Sequence, residues 1–203
     1  MVDGMNDADL VLGLRQGDRD AWEALCQQYS DRLWRYVARL VGGDEQSVTD
    51  VFQETIMAAA SAGRRLGPGS QVWPWLARIG HNQAALFWRK RYRDADVDWR
   101  QLASTDGGED PAELLERLET VDCVRCLLAA MSADQVALLT GKYLDGLTAA
   151  ELATQLGGTT EAIRSRLARA RREFRERFER LTKDRGETHP AVSPDSSPQR
   201  DLS

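Results

Sequence analysis

The sequence predicts an all-α protein in which an acidic linker joins two small helical domains. Apolar residues recur at spacings of three and four along most of the chain, which is the period of helices with one buried face. No stretch alternates between apolar and polar residues as a strand does. The 203-residue chain has a net charge of −5, yet residues 94–130 alone carry −7. We therefore expect a first domain at 1–93, an acidic linker at 94–112, a second domain at 113–183 and a disordered tail at 184–203.

Three helices are predicted in the first domain. Residues 22–41 form a long amphipathic segment, residues 48–59 a second, and residues 75–87 a third that continues into the basic sequence WRKRYR. In the linker, Gly107, Gly108 and Pro111 interrupt any helical period. Two further helices are predicted beyond the linker, at residues 114–131 and over the sequence SADQVALLTGKYL. The second contains Gly141, and glycine is unfavourable inside a helix.

The composition excludes several classes of protein. No apolar run approaches the roughly 18 residues that a membrane-spanning helix needs, so we expect no membrane insertion. The N-terminus MVDGMNDADL lacks the basic and apolar parts of a signal peptide, so we expect a cytoplasmic protein. Cys123 and Cys126 are predicted to lie on one face of an apolar helix, and His81 and His189 lack the spacing of metal ligands. We expect no metal site, no cofactor and no enzymatic activity.

Residues 147–177 have the layout of a helix-turn-helix. Thr148 is the predicted N-cap, with Glu151 as its capping-box partner. Gly157 and Gly158 end the first helix, since glycine adopts the left-handed backbone of a helix end, and Thr159 or Thr160 begins the second. Exposed arginines near the start of the second helix are typical of helices that enter the major groove. Leu152, Ala153 and Leu156 form the predicted apolar face of the first helix, and Ile163 and Leu167 are the predicted buried residues of the second.

Two other interpretations of this segment stay open from the residues alone. One is an ordinary helical hairpin with a solvated charged face, in which Glu173, Glu176 and Glu179 pair with arginines at i,i+3 or i,i+4 spacing. The other is a stand-alone helix-turn-helix regulator that binds duplex DNA.

Two further patterns lie in the first domain. Asp50, Gln53 and Glu54 form a polar stripe on one helical face. The sequence QVWPWLARIGHNQAALFWRKRYR interleaves tryptophans with cations, and single-stranded DNA binds such surfaces through base stacking and backbone charge. Either pattern alone also fits a solvated face or a packed core.

Together these segments resemble the extracytoplasmic-function (ECF) group of bacterial sigma factors, within the sigma-70 family. The resemblance covers roughly residues 7–93 and 113–180. TDVFQETIMAA and WPWLARIGHN resemble two segments of region 2 of that family, as does the opening DADLVLGLRQGDRDAWEALCQQYSDRLWRYVARLVGG. The sequence AMSADQVALLTGKYLDGLTAAELATQLGGTTEAIRSRLARAR resembles region 4.

The resemblance implies a function, partners and site residues. It implies binding to core RNA polymerase, recognition of the −35 and −10 elements of promoter DNA, DNA melting, and control by an anti-sigma factor. The implied polymerase-binding residues are Asp50, Gln53 and Glu54. The implied −10 residues are Trp73, Trp75, Arg78, Asn82, Arg89, Lys90, Arg91 and Arg93. The implied −35 residues are Thr160, Arg164, Ser165, Arg166, Arg169 and Arg172.

Overall fold

The computed structural model describes residues 5–42, 45–94 and 120–187. Within these ranges the chain forms eight α-helices and one 3-10 turn, and no strand. The all-α class predicted from the apolar spacing is therefore confirmed. The linker residues 95–112, residues 113–119 and the tail residues 188–203 lie outside the described ranges.

The N-terminal unit consists of the first four helices. They are α1 (Asp7–Gln16), α2 (Arg19–Val41), α3 (Glu45–Ala62) and α4 (Val72–Asp94), with the 3-10 turn Gly63–Arg65 between α3 and α4. The three predicted helices correspond to α2, α3 and α4. No helix was predicted over residues 7–16, although Asn6 caps α1 by accepting a hydrogen bond from the Asp9 N–H at 3.0 Å.

The core of this unit lies where α1, α2 and α4 meet. Leu10, Leu33, Leu40 and Leu76 have no exposed surface, and complete burial of such a side chain stabilises a fold by about 1.5–3 kcal/mol. Asp7 links the three helices with polar contacts. Its carboxylate accepts hydrogen bonds from the Tyr29 hydroxyl at 2.7 Å and from the Val72 N–H at 3.1 Å.

The C-terminal unit consists of the other four helices. They are α5 (Thr120–Ala130), α6 (Ala133–Tyr143), α7 (Ala149–Leu156) and α8 (Thr160–Glu187). The predicted helices of this half correspond to α5 through α8. Helix α8 continues to Glu187, so it includes the first four residues that were assigned to the tail.

Gly141 has a packing role that its helix propensity does not predict. A Cβ atom at this position would lie 2.7 Å from the Leu152 side chain. The glycine therefore lets α7 approach α6 closely, and this approach encloses Leu152. The local cost of a glycine inside α6 is offset by packing between helices, which a propensity scale does not include.

The two units pack directly against each other. Met131, Val136 and Leu139 of the C-terminal unit belong to the same buried cluster as Leu10 and Leu76 of the N-terminal unit. Helix α4 makes the largest part of this contact, since it packs on both α5 and α6. Residues that were assigned to separate domains thus share a continuous apolar core.

Candidate nucleic-acid and protein interfaces

Helix α7 begins with the predicted capping box. The Thr148 hydroxyl accepts a hydrogen bond from the Glu151 N–H at 3.2 Å, and the Glu151 carboxylate accepts one from the Thr148 N–H at 2.7 Å. The bonds from Thr148 lower the pKa of the exposed Glu151 carboxyl. Gly157 follows the helix with a φ of 75°, in the region that favours glycine. The predicted start and end of α7 are confirmed.

Helix α8 is capped by Thr159 rather than by Thr160. The Thr159 hydroxyl accepts a hydrogen bond from the Ala162 N–H at 3.1 Å. Ile163 and Leu167 are buried against Leu138 and Leu152, as predicted. Because these apolar residues define the inner face of α8, the intervening arginines point away from the unit.

The exposed face of α8 carries most of the predicted −35 residues. Four of them are exposed and two are half-buried. The exposed ones are Arg164, Ser165, Arg169 and Arg172, and the half-buried ones are Thr160 and Arg166.

Acidic neighbours hold two of these cations only weakly. Arg164 lies 3.4 Å from Glu161, and Arg172 lies 3.7 Å from Glu176. Both pairs are well exposed, and such pairs contribute about 0–1 kcal/mol. The predicted pairing of glutamates with arginines does occur for Glu176 and for Glu173, which lies 2.8 Å from Arg177. Because their own ion pairs are weak, Arg164 and Arg172 can exchange a carboxylate for a phosphate or a base edge.

Helix α3 presents the predicted polar stripe. Asp50, Gln53 and Glu54 are all exposed, while Val51 and Thr55 on the opposite face are buried. The Gln46 side chain donates to the Asp50 carboxylate at 2.8 Å. The stripe is therefore a solvent-facing acidic surface.

Met57 extends this surface and was missed in the sequence. Its side chain is 61% exposed, and it lies three residues after Glu54 on the same face of α3. Methionine is enriched at protein interfaces relative to the rest of the protein surface. The helical spacing from Glu54 was the signal that could have identified it.

The two tryptophans predicted to contact the −10 element, Trp73 and Trp75, do not have fully exposed rings in this structure. Trp73 is only 7% exposed. The Arg32 guanidinium lies 3.7 Å from the centre of its ring, and Tyr36 packs on its edge at 5.7 Å between ring centres. Trp75 is half-buried. A base could stack on Trp73 only after Arg32 moves.

The other predicted −10 residues line α4. Arg78, Asn82 and Arg89 lie at spacings of four and seven residues, so they share one face of the helix. Arg78 is engaged with Asp134 of α6 at 2.9 Å. The remaining basic residues of this group belong to the last turns of α4. Lys90 and Arg91 are exposed, and the Arg93 side chain lies outside the described part of the chain.

Trp88, from the same tryptophan-rich segment, is a core residue. It has no exposed surface, and its indole N–H donates to the Leu40 carbonyl oxygen at 2.8 Å. Cys123 and Cys126 are buried against it, in agreement with the interpretation that they lie on the packed face of a helix. Among the residues that the structure describes, no cluster of metal-binding side chains is present.

Comparison with known proteins gives the family of the chain. Residues 25–94 match the family Sigma-70 region 2, and residues 121–174 match the family Sigma-70, region 4. The chain is 30% identical over 177 residues to RNA polymerase sigma factor NccH of Alcaligenes xylosoxydans xylosoxydans, and the alignment spans 84% of this chain and 94% of that protein.

Two further similarities are found. The ECF RNA polymerase sigma factor BldN of Streptomyces coelicolor is 31% identical over 80% of this chain and 62% of its own length. The solved structure of CnrH in complex with the cytosolic domain of CnrY is 25% identical, with a TM-score of 0.46 over 86% of this chain and 97% of that chain.

These matches define the class of the protein. Two sigma-70 regions follow each other in order, and one lies in each of the two packed helical units. The chain belongs to the sigma-70 family, as an ECF RNA polymerase sigma factor. Within the described ranges, no helix has the length and apolar character needed to cross a membrane.

Proposed function

We propose that this chain binds core RNA polymerase and directs it to promoters by recognising a −35 and a −10 element and by assisting DNA melting. The observation that carries the proposal is the ordered pair of sigma-70 regions, the second of which contains a capped helix-turn-helix with an exposed arginine face. A stand-alone regulator would account for the helix-turn-helix alone. It would leave the region 2 match and the acidic stripe on α3 without a role.

The acidic stripe of α3 is the proposed polymerase-binding surface. Asp50, Gln53 and Glu54 extend into solvent from a helix whose other face is fixed in the core. Carboxylates on a rigid helix attract a basic partner and set its orientation, and Met57 adds apolar area beside them. This combination suits a basic helical surface on the polymerase.

The proposed promoter surfaces lie on α4 and α8. On α8, arginines in the first two turns would meet base edges, and those further along would meet phosphates. On α4, the exposed cations at the C-terminal end would follow the backbone of the −10 region. Trp73, Trp75 and Asn82 would receive unstacked bases, because a base is read outside the helix only by a pocket with stacking and hydrogen-bonding groups.

Each proposed binding domain is defined by the binding surfaces that it contains. Residues 1–93 would form the polymerase and −10 domain, 94–112 the acidic linker, 113–183 the −35 domain and 184–203 the tail. We propose no catalytic activity for the chain, and the polymerase it would bind places it in the cytoplasm. An anti-sigma factor is the proposed inhibitory partner, as the family resemblance implies.

Reconstitution tests the function. The purified chain is mixed with a bacterial core RNA polymerase, passed over a size-exclusion column, and assayed for run-off transcription from a library of promoter sequences. Co-elution is expected, together with transcripts that start at a fixed distance downstream of a shared motif. Tight binding of the chain alone to duplex DNA at physiological salt, without any binding to polymerase, would favour the stand-alone regulator instead.

A further inference from the structure

Helix α4 belongs to a long stretch of the sequence without acidic residues. Residues 55–93 contain six arginines and one lysine, and neither aspartate nor glutamate. In the last turns of α4, Arg89, Lys90 and Arg91 are exposed. Because these cations have no carboxylate nearby in sequence, the end of α4 is a positively charged surface that suits the phosphates of DNA.

An exposed leucine lies among these polar and basic side chains. The Leu86 side chain is 49% exposed. Asn82 lies four residues before it, and Arg89 and Lys90 lie three and four residues after it, so all four side chains share one face of α4. The three neighbours are exposed as well. Leu86 therefore places an apolar group in the middle of the proposed −10 surface.

The packing of α4 fixes the direction in which Leu86 points. Ala84 and Trp88, two residues to either side, have no exposed surface. Two residues correspond to about 200° around a helix, so the side of α4 that carries Leu86 is nearly opposite to both. The Trp88 indole donates to the Leu40 carbonyl oxygen at 2.8 Å, and this bond holds the rotation of α4. Leu86 is thus kept on the outer side by the core.

The neighbours of Leu86 distinguish it from other exposed apolar residues. Single exposed apolar side chains are common on protein surfaces. Leu86, however, lies between Asn82 and Arg89, which the proposed function places against the promoter. These two residues are about 10 Å apart along the helix axis, which is the length of about three base-pair steps. DNA that contacts both of them also covers Leu86.

Thymine is the base whose edge matches a leucine side chain. Its C5-methyl group lies in the major groove, whereas the other three bases present donors and acceptors there. Leucine forms no hydrogen bond, so a polar base edge placed against it would lose water without gaining a partner, which is unfavourable. A methyl group placed there would instead be removed from water together with the leucine, which is favourable.

We infer that Leu86 contacts the C5-methyl group of a thymine in promoter DNA bound along α4, and that the chain prefers thymine at that position for this reason. The neighbouring cations would hold the DNA backbone, which carries no sequence information directly. This preference rests on the proposed function, to which it adds one residue that specifies a base.

Replacement of thymine by uracil tests the contact. The chain is bound to core RNA polymerase, and the complex is titrated with a promoter duplex selected in the transcription assay. Each thymine of that duplex is replaced in turn by deoxyuridine, which removes the methyl group and keeps every hydrogen-bonding group. Binding is expected to weaken by about fourfold at one position, the effect of losing one buried methyl group.

Variants at Leu86 assign that position to this side chain. Leu86→Ala should bind the thymine duplex about fourfold more weakly and should no longer distinguish thymine from uracil at the sensitive position. Leu86→Met, with an apolar side chain of similar volume, should keep the preference. Leu12→Ala is the matched control, since Leu12 is 54% exposed on α1, outside the proposed promoter surfaces. It should keep the full preference, and circular dichroism should show equal helicity for all four proteins.

The outcomes separate this contact from the proposed function. A promoter that is bound with equal affinity whether it carries thymine or uracil at every position would overturn the contact and leave the proposed function intact. The same holds if Leu86→Ala remains as sensitive to uracil as the unmodified chain, or if Leu12→Ala loses the preference as well. Failure of the polymerase complex to bind any promoter would overturn the proposed function and the contact together.

Discussion

Trp88 donates its indole N–H to the Leu40 carbonyl oxygen at 2.8 Å, across the junction between α4 and the end of α2. The carbonyl is one of the last in α2 and has no partner within its own helix. The same ring is covered on its other side by α5. One side chain therefore ties the two long helices of the N-terminal unit and supports the C-terminal unit.

This relationship predicts the effect of Trp88→Phe. Phenylalanine keeps most of the apolar contact but cannot donate to Leu40, so a buried carbonyl loses its partner at a cost of about 1–3 kcal/mol. Urea unfolding followed by circular dichroism should show that loss in the full chain. Trp75→Phe at a half-buried site is the matched control and should cost less. Equal effects of both substitutions would mean that the hydrogen bond contributes nothing measurable.

A second prediction concerns the pH dependence of the free energy of unfolding. Burial lowers the pKa of His81 from its ordinary value of 6.5, although the contact with the Leu128 carbonyl opposes this effect. The unfolded chain therefore binds more protons than the folded chain below pH 6.5. Linkage then requires that the contribution of His81 to the stability of the folded chain is complete above that pH and is lost as the pH falls towards the lowered pKa.

The measurement is the free energy of unfolding between pH 7.5 and 5 for the chain and for His81→Gln. The substituted chain cannot titrate at this position, so its stability should fall less over the interval. Parallel curves for the two proteins would show that His81 does not contribute to the pH dependence.

A third prediction concerns the α3 surface. Glu54→Lys reverses a charge at the centre of the exposed stripe and should weaken binding to core polymerase by about tenfold or more, because like charges at an interface are strongly unfavourable. Glu23→Lys makes the same charge reversal at an exposed position of α2, outside the stripe. It should bind nearly as well as the unmodified chain. Equal binding by all three proteins at matched helicity would remove this surface from the proposal.

Local features of the fold could be predicted from the sequence, because they depend on neighbouring residues. The apolar spacing predicted α2, α3 and α4, and the pair Thr148 and Glu151 predicted the start of α7. Contacts between segments that are distant in the chain do not produce a comparable local pattern in the sequence. Arg39 and Asp145 are 106 residues apart in sequence, and nothing near either residue indicates the other.

The same distinction applies to the candidate sites. The exposure of Asp50, Glu54 and Arg164 followed from helical periodicity, since each lies opposite an apolar face. The enclosure of Trp73 by Arg32 did not follow, because it depends on how α2 crosses α4. Tryptophans at helical spacing predict both a core and a stacking surface. Only the tertiary contacts separate Trp88, which is fully buried, from Trp75, which is partly accessible.

The last prediction concerns the arginines of α8. Arg164 and Arg169 are five residues apart, which is about 140° around a helix of 3.6 residues per turn, so they cannot make the same kind of contact. Both side chains are exposed. Arg164 lies in the second turn after the Thr159 cap, where recognition helices meet base edges, and Arg169 lies further along, towards the flanking phosphates.

Arg164→Ala should therefore cost about 1–3 kcal/mol at a cognate −35 element and relax the preference at one base pair. Arg169→Ala should weaken binding to all −35 sequences about equally and reduce the salt slope by about one unit. Binding of the polymerase complex to a panel of −35 variants at several salt concentrations measures both effects. Arg180→Ala, exposed near the far end of α8, is the control and should change neither quantity. A uniform loss for Arg164→Ala would make α8 an electrostatic anchor, and unchanged binding for both variants would exclude α8 from −35 recognition.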